Sequence, residues 1–227
     1  MRVVIQCAGS KRADAGTFCT ADGRKLVFVA DPAAAPPKVG MLFARPDDPS
    51  DRCGQSWRDR VVEENRHPSE LAKPLLTAGG LYRPKAYETL QRWVGAEKLF
   101  ILSAGWGLVR SDFRLPTYNI TFSGAAEPYK QRRKTQDFAD FNALAELPGE
   151  DTVFLGGKAY LPLFLRLTAT LPGKRLVFFN AASPPVAPAA PAAPGCVLQP
   201  FHTTGRTNWH YGCAAKLADG SLLPNFG

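Results

Sequence analysis

The densest group of chemically capable side chains follows a short apolar run. Leu99-Phe100-Ile101-Leu102 leads into Ser103-Ala104-Gly105-Trp106-Gly107, and Arg110, Ser111, Asp112, Arg114, Tyr118 and Asn119 come next. The run reads as a buried strand entering a tight loop of small residues, where a ligand can approach the backbone. Asp112 is the carboxylate of this group. It reads either as a catalytic group at the mouth of a pocket or as a turn or cap residue.

Other strand-like runs end in the same manner. MRVVIQC stops at Ala8-Gly9-Ser10-Lys11-Arg12, a small basic loop suited to an anion, although the spacing is not that of a Walker loop. Thr152-Val153-Phe154-Leu155 stops at Gly156-Gly157-Lys158, and Leu176-Val177-Phe178-Phe179 at Asn180-Ala181-Ala182-Ser183. Val197 to Phe201 leads into His202-Thr203-Thr204-Gly205-Arg206, where backbone amides can hold phosphates. In a parallel sheet these ends share one edge, which is where α/β folds bind ligands. Lys11, Asp112, Asn119, Lys158, Asn180 and His202 are then expected around one polar pocket lined by backbone amides.

The formal net charge is +8, and Lys130, Arg132, Arg133 and Lys134 lie within five positions beside Tyr129. A charge run reads as a solvated helix face, or as a contact to phosphates. The chain-wide excess favours a polyanion partner. The five cysteines are scattered without a CxxC spacing, so a reduced, cytoplasmic protein is expected. His202, His210 and Cys213 are near neighbours, but no second ligand cluster accompanies them, and neither metal nor cofactor is expected. No apolar run approaches membrane-span length, and no signal peptide is visible.

These residues need an α/β scaffold to position them. With 227 residues, 45% hydrophobic, the chain can form one α/β domain whose central sheet is mostly parallel and flanked by helices. Strands are expected at 2–7, 99–103, 152–156 and 175–180, and helices from about Pro84, over 127–147, from Ala159 to Leu171 and from about Asn208. A Pro-rich insertion over about 17–66 is expected to contain a hairpin, and His67-Pro68-Ser69-Glu70 reads as a helix start. The Pro/Ala stretch 184–195 reads as a loop or rigid spacer.

Leu102-Ser103-Ala104-Gly105-Trp106-Gly107-Leu108-Val109-Arg110, followed by Leu115-Pro116-Thr117-Tyr118, resembles the central motif of the YaaA-like family, named for a peroxide-stress protein. VVIQCAGSKR and GGLYRPKAYETL fit the same family, so the resemblance covers roughly the first half of the chain. Trp106 stands where Tyr or His is more usual, and Thr117-Tyr118-Asn119 replaces a Pro-Tyr-acid ending. The His202 tail is similar to the last motif of the uracil-DNA glycosylase fold. The resemblance implies DNA binding, and the wider grouping includes base-excising glycosylases, some acting on bulky modified cytosines of phage DNA.

The expectation is therefore a DNA glycosylase, in a setting such as antiviral defence. It would act as a monomer on double-stranded DNA with the modified base flipped out. Asp112 and Asn119 are the catalytic candidates, the carboxylate stabilising positive charge on the sugar. Ser10, Lys11, Ser103, Trp106, Tyr118, Lys158, Asn180 and His202 are expected to bind substrate. Trp106, Tyr118 and Phe179 would stack the base and Asn119 or Asn180 would read its edge. Lys130, Arg132, Arg133, Lys134 and Arg206 would contact phosphates. A non-catalytic DNA-binding stress protein and a nucleoside- or nucleotide-processing enzyme are the alternatives.

Overall fold

In a computed structural model, the described residues are all but 70, 134, 146, 148, 186–194 and 206. Lys134, Arg206 and most of the Pro/Ala stretch therefore lie outside them. The strands are β1 (Arg2–Gln6), β2 (Lys25–Phe28), β3 (Met41–Ala44), β4 (Leu76–Thr77), β5 (Leu99–Ser103), β6 (Gly107–Arg110), β7 (Arg114–Leu115), β8 (Phe141–Asn142), β9 (Thr152–Leu155), β10 (Arg175–Phe179) and β11 (Cys196–Pro200). The helices are α1 (Trp57–Arg66), α2 (Ala78–Leu81), α3 (Ala86–Val94), α4 (Leu161–Leu167) and α5 (Trp209–Ala218).

The fold is α/β. Its central sheet has the order β11-β10-β9-β1-β5-β6-β8. β11, β10, β9, β1 and β5 are mutually parallel, and β6 runs antiparallel to β5. The parallel strands read as continuous apolar runs because the sheet is covered on both sides: every residue of β5, β9 and β10 is buried. α3 and α5 pack on each other over β1, β5 and β9, and α4 stacks Phe164 on Phe154 of β9, ring centroids 4.4 Å apart. β1 is central. From it the chain eventually pairs β5 on one side, and β9 leads on to β10 on the other. The reversal lies between the carboxyl ends of β1 and β9, the place where such sheets open a crevice.

Four local expectations are corrected. The stretch after β5 is a hairpin, with Ser103 opposite Gly107 across Ala104-Gly105-Trp106. Gly107 has φ +84°, and a Cβ there would lie 2.5 Å from the Phe141 carbonyl, so glycine is required. In the insertion, β2 and β3 pair in parallel and are not a hairpin; the long connection between them carries the chain back, as parallel pairing requires. His67 caps the end of a helix and does not start one. α1 precedes it, opened by a capping box between Ser56 and Asp59, and the His67 N–H donates to the Glu63 carbonyl at 2.8 Å. Among the described residues of 127–147 there is no α-helix, only a 3-10 turn at Pro128–Lys130. Their backbone groups pair elsewhere: Arg132 N–H with the Thr121 carbonyl, Phe141 N–H with Trp106, and Ala143 N–H with Leu108.

Candidate active site

Three strand ends and one loop meet at the crevice. β1 delivers Cys7, β5 delivers Ser103, and the turn after β9 delivers Gly157 and Tyr160. The Gly157 N–H donates to Gln6 Oε1 at 2.7 Å, tying β9's exit to β1. Lys11 is placed by a short antiparallel pairing with Tyr82. Arg12 N–H donates to the Leu81 carbonyl at 3.0 Å and Arg83 N–H to the Ser10 carbonyl at 3.2 Å. The GGLYRPK segment thus holds the Lys11 loop before α3 begins. Tyr87 of α3 donates its hydroxyl to the Gln6 carbonyl at 2.8 Å.

At the centre is a buried chain of hydroxyl groups. Ser103 Oγ donates to the Tyr118 hydroxyl at 2.9 Å, and the Tyr118 and Tyr82 hydroxyls meet at 2.8 Å. Cys7 Sγ lies 3.2 Å from the Tyr160 hydroxyl. Burial raises all three phenols, Tyr82, Tyr118 and Tyr160, well above their ordinary titration range, so they remain protonated donors. Lys11 Nζ lies 3.9 Å from the centroid of the Tyr118 ring and 5.8 Å from that of Tyr82. Burial pulls its pKa from 10.5 to about 8. Ser10 and Gly9 beside it are exposed, so the amine stands at the rim of the cluster.

The hairpin loop after β5 does not present its backbone to a ligand, contrary to the expected amide-lined pocket. The amides of Gly105 and Trp106 donate to Ser103 Oγ at 3.2 and 3.1 Å. Its carbonyls are taken by two buried guanidinium groups. Arg132 donates to Ala104, and Arg58 of α1 donates to Gly105 and Trp106, at 3.0–3.2 Å. Each cation has its own carboxylate: Arg58 with Asp47 at 2.6 Å and Arg132 with Asp140, bidentate, at 2.6 and 2.7 Å.

Of the expected substrate-binding residues, Lys11, Ser103 and Tyr118 come together, with Ser10 exposed beside them. Trp106 does not join them. It is fully buried and packs on Phe28 and Phe141, so it is a core residue and cannot stack a base. Lys158, Phe179 and Asn180 line a separate cleft of about 540 Å³ at the ends of β9 and β10. The Asn180 amide is engaged there, donating to the Gly205 carbonyl at 2.9 Å, while His202 is exposed just beyond β11. Asn119 is exposed. It lines a cleft of about 390 Å³ against the insertion, with Lys25, Lys38, Phe43, Tyr118 and Tyr129.

Asp112 lies away from all of these. Because β6 runs back along β5, the chain after it reaches the amino end of the parallel strands, where Ser111 N–H donates to the Leu99 carbonyl at 2.8 Å. Asp112 is exposed and ion-paired to Arg110 at 2.6 Å. The basic cluster is also divided. Arg132 is buried in its pair with Asp140, Lys130 pairs with Glu127 at 3.0 Å, and Arg133 is exposed. Lys134 and Arg206 fall outside the described residues.

Sequence reasoning missed Cys7, Tyr82 and Tyr160 as site residues. Phenols and thiols scattered along a chain carry no spacing signal. Their common position just after strand ends or beside GGLYRPK was the available clue. Among the described residues no group of three or more His, Cys, Asp and Glu side chains is placed to hold a metal, and none of the helices is long and apolar enough to cross a membrane. All five cysteines are free thiols. Comparison of the chain with protein-family models, curated proteins and solved structures finds no match.

Proposed function

We propose that the protein is a DNA glycosylase that excises a modified base from double-stranded DNA. The observation that carries this reading is the Lys11–Tyr118 pair. A half-buried amine lies over an aromatic ring at the crevice, and Tyr118 also lines the cleft that bears Asn119. That cleft has the ingredients for a flipped nucleotide. Tyr129 and Phe43 offer aromatic surface, the Asn119 amide offers a donor and an acceptor, and Lys25 and Lys38 supply positive charge. Its size, about 390 Å³, falls in the range of small-molecule sites. The net charge of +8 favours a polymer over a free nucleoside. The buried phenols are donors suited to a departing base, which leaves with negative charge.

The test is incubation of the full chain with unmodified DNA and with phage DNA bearing bulky substituted cytosines, followed by alkaline cleavage and mass analysis of released bases. Alkali-labile sites and free base from the modified DNA alone are expected. Salt-sensitive duplex binding without base release would leave a non-catalytic DNA-binding protein. Turnover of free nucleosides without duplex binding would point to the small-molecule enzyme.

A further inference from the structure

One hollow of the surface belongs to neither cleft described above. It holds about 200 Å³ between α4 and the chain around Arg132, and three guanidinium groups line it: Arg132, Arg133 and Arg166. That is below the roughly 300–1,000 Å³ of drug-sized sites and suits one small polar group. Arg132 is the buried member. Its fork is fixed by Asp140, by the Ala104 carbonyl and by the Phe138 ring, whose centroid lies 4.1 Å from the guanidinium carbon. Arg166, in the last turn of α4, joins the same Asp140 although both carboxylate oxygens already meet Arg132. A structural pair needs no second cation there, and the Arg166 side chain stays 54% exposed. Arg133 is exposed, and among the described residues no carboxylate pairs with it. Its backbone is held, the Arg133 N–H donating to Gln136 Oε1 at 2.8 Å. The exposed Asp137 carboxylate is the one opposing group in the lining. Three guanidiniums against Asp140 and Asp137 leave one positive charge in excess, with N–H donors of Arg133 and Arg166 to spare. The hollow also flanks the crevice: Phe122 lines it and sets its ring edge-on to Tyr160, centroids 5.0 Å apart.

We infer that this pocket seats one phosphate of a bound DNA strand, gripped jointly by Arg133 and by Arg166 of α4, with buried Arg132 completing the wall. This rests on the DNA-binding part of the reading above and not on base excision. A guanidinium presents N–H donors that match two phosphate oxygens, and it stays charged at any working pH. A phosphodiester carries one negative charge, which balances the single excess positive charge of the lining. Arg132 holds Asp140, and Asp140 holds Arg166, so the Arg166 fork is placed before the strand arrives and loses little freedom on binding. The pocket offers nothing that reads a base edge, and its contact therefore sets the position of the strand without selecting sequence. The chain that carries Arg132 and Arg133 also supplies Tyr129 to the cleft that bears Asn119, so one segment serves both the phosphate and the neighbouring nucleotide. Free phosphate offers the same oxygens, and the two sources separate in solution.

The test uses the full chain, Arg133→Gln, Arg166→Gln, the double variant and Asp137→Asn. Each is titrated with an unmodified duplex, and melting midpoints are taken with and without inorganic phosphate. Each arginine substitution should weaken duplex binding about tenfold, and the double variant should fall short of the product of the two losses by about threefold or more, because residues that share one ligand group couple whereas independent contacts add. Their midpoints without phosphate should stay near that of the native chain, since Arg132 keeps Asp140 paired. Asp137→Asn removes the opposing charge and should tighten binding, which keeps the test open even if the double variant folds poorly. Losses that multiply in full, or weaker binding by Asp137→Asn, overturn the proposal and leave the arginines as separate surface cations. Unchanged duplex binding by the folded double variant overturns it and leaves the glycosylase reading intact. If phosphate then raises the native midpoint but not that of the double variant, the pocket belongs to free phosphate and not to the strand. A native chain that binds no duplex overturns the glycosylase reading and this inference with it.

Discussion

Ser103 Oγ joins the hairpin to the tyrosine chain: it accepts the Gly105 and Trp106 amides and donates to the Tyr118 hydroxyl at 2.9 Å. One buried hydroxyl therefore satisfies two backbone donors and orients the ring beneath Lys11. Ser103→Ala leaves those groups unpaired away from water, which costs about 1–3 kcal/mol. A melting midpoint lower by roughly 3–10 °C is expected for a chain of this size. An unchanged midpoint would show that the loop holds itself without Ser103.

Asp112→Asn should leave base release unchanged. The residue pairs with Arg110 at the exposed amino edge of the sheet, where such pairs contribute about 0–1 kcal/mol. Single-turnover base release and the melting midpoint, measured on the same preparation, check this. A large loss of turnover in a folded variant would return Asp112 to the site.

Arg132 and Arg133 are adjacent but should behave oppositely. Arg132→Ala removes the bidentate partner of buried Asp140 and a donor to the Ala104 carbonyl, and should cost about 3 kcal/mol of stability. Arg166 also pairs with Asp140, which keeps the loss at the lower end of the range for buried pairs. Arg133→Ala should leave the melting midpoint unchanged and lower the salt dependence of duplex binding by about one ion. Binding titrations at several salt concentrations, with thermal melts, separate the two.

His210 gives the fold a pH dependence. It is 2% exposed, and burial pushes its imidazole from 6.5 down to about 4. Between these values the unfolded chain binds a proton that the folded chain does not. Stability that is complete above 6.5 is therefore lost as pH falls toward 4, by about 1.4 kcal/mol per pH unit at most. Denaturant titrations should show this slope in the native chain and a flatter one in His210→Gln. Equal slopes would assign the acid sensitivity to other groups.

The strand cores were legible because buried parallel strands are written as apolar runs ending in small residues: β1, β5, β9 and β10 start where the runs start and end within one residue of where they stop. Strand direction was not legible. Nothing local in Gly105-Trp106-Gly107 distinguishes a ligand loop from a hairpin. The glycine requirement at 107 comes from Phe141, far along the chain. That reversal carried Asp112 to the wrong end of the sheet and Trp106 into the core. α1 was hidden because its inward face includes Arg58 and Glu64, which are buried against polar partners and break the expected apolar stripe. Lys11, Ser103 and Tyr118 were legible as residues, whereas their contact required the pairing of Lys11 with Tyr82, a feature of tertiary structure.

The central position of β1 has a consequence for synthesis. Its neighbours are β5, whose Leu99 pairs with Val3, and β9, whose Val153 pairs with the same residue. At about 5–20 residues per second, β1 leaves the ribosome roughly 5–20 s before β5 and longer still before β9. During that interval a five-residue strand, four residues of which end up buried, has neither sheet neighbour to pair with. Folding cannot proceed outward from β1 alone. One edge of β1 can pair once β5 is made, and its other edge stays unpaired until β9 follows.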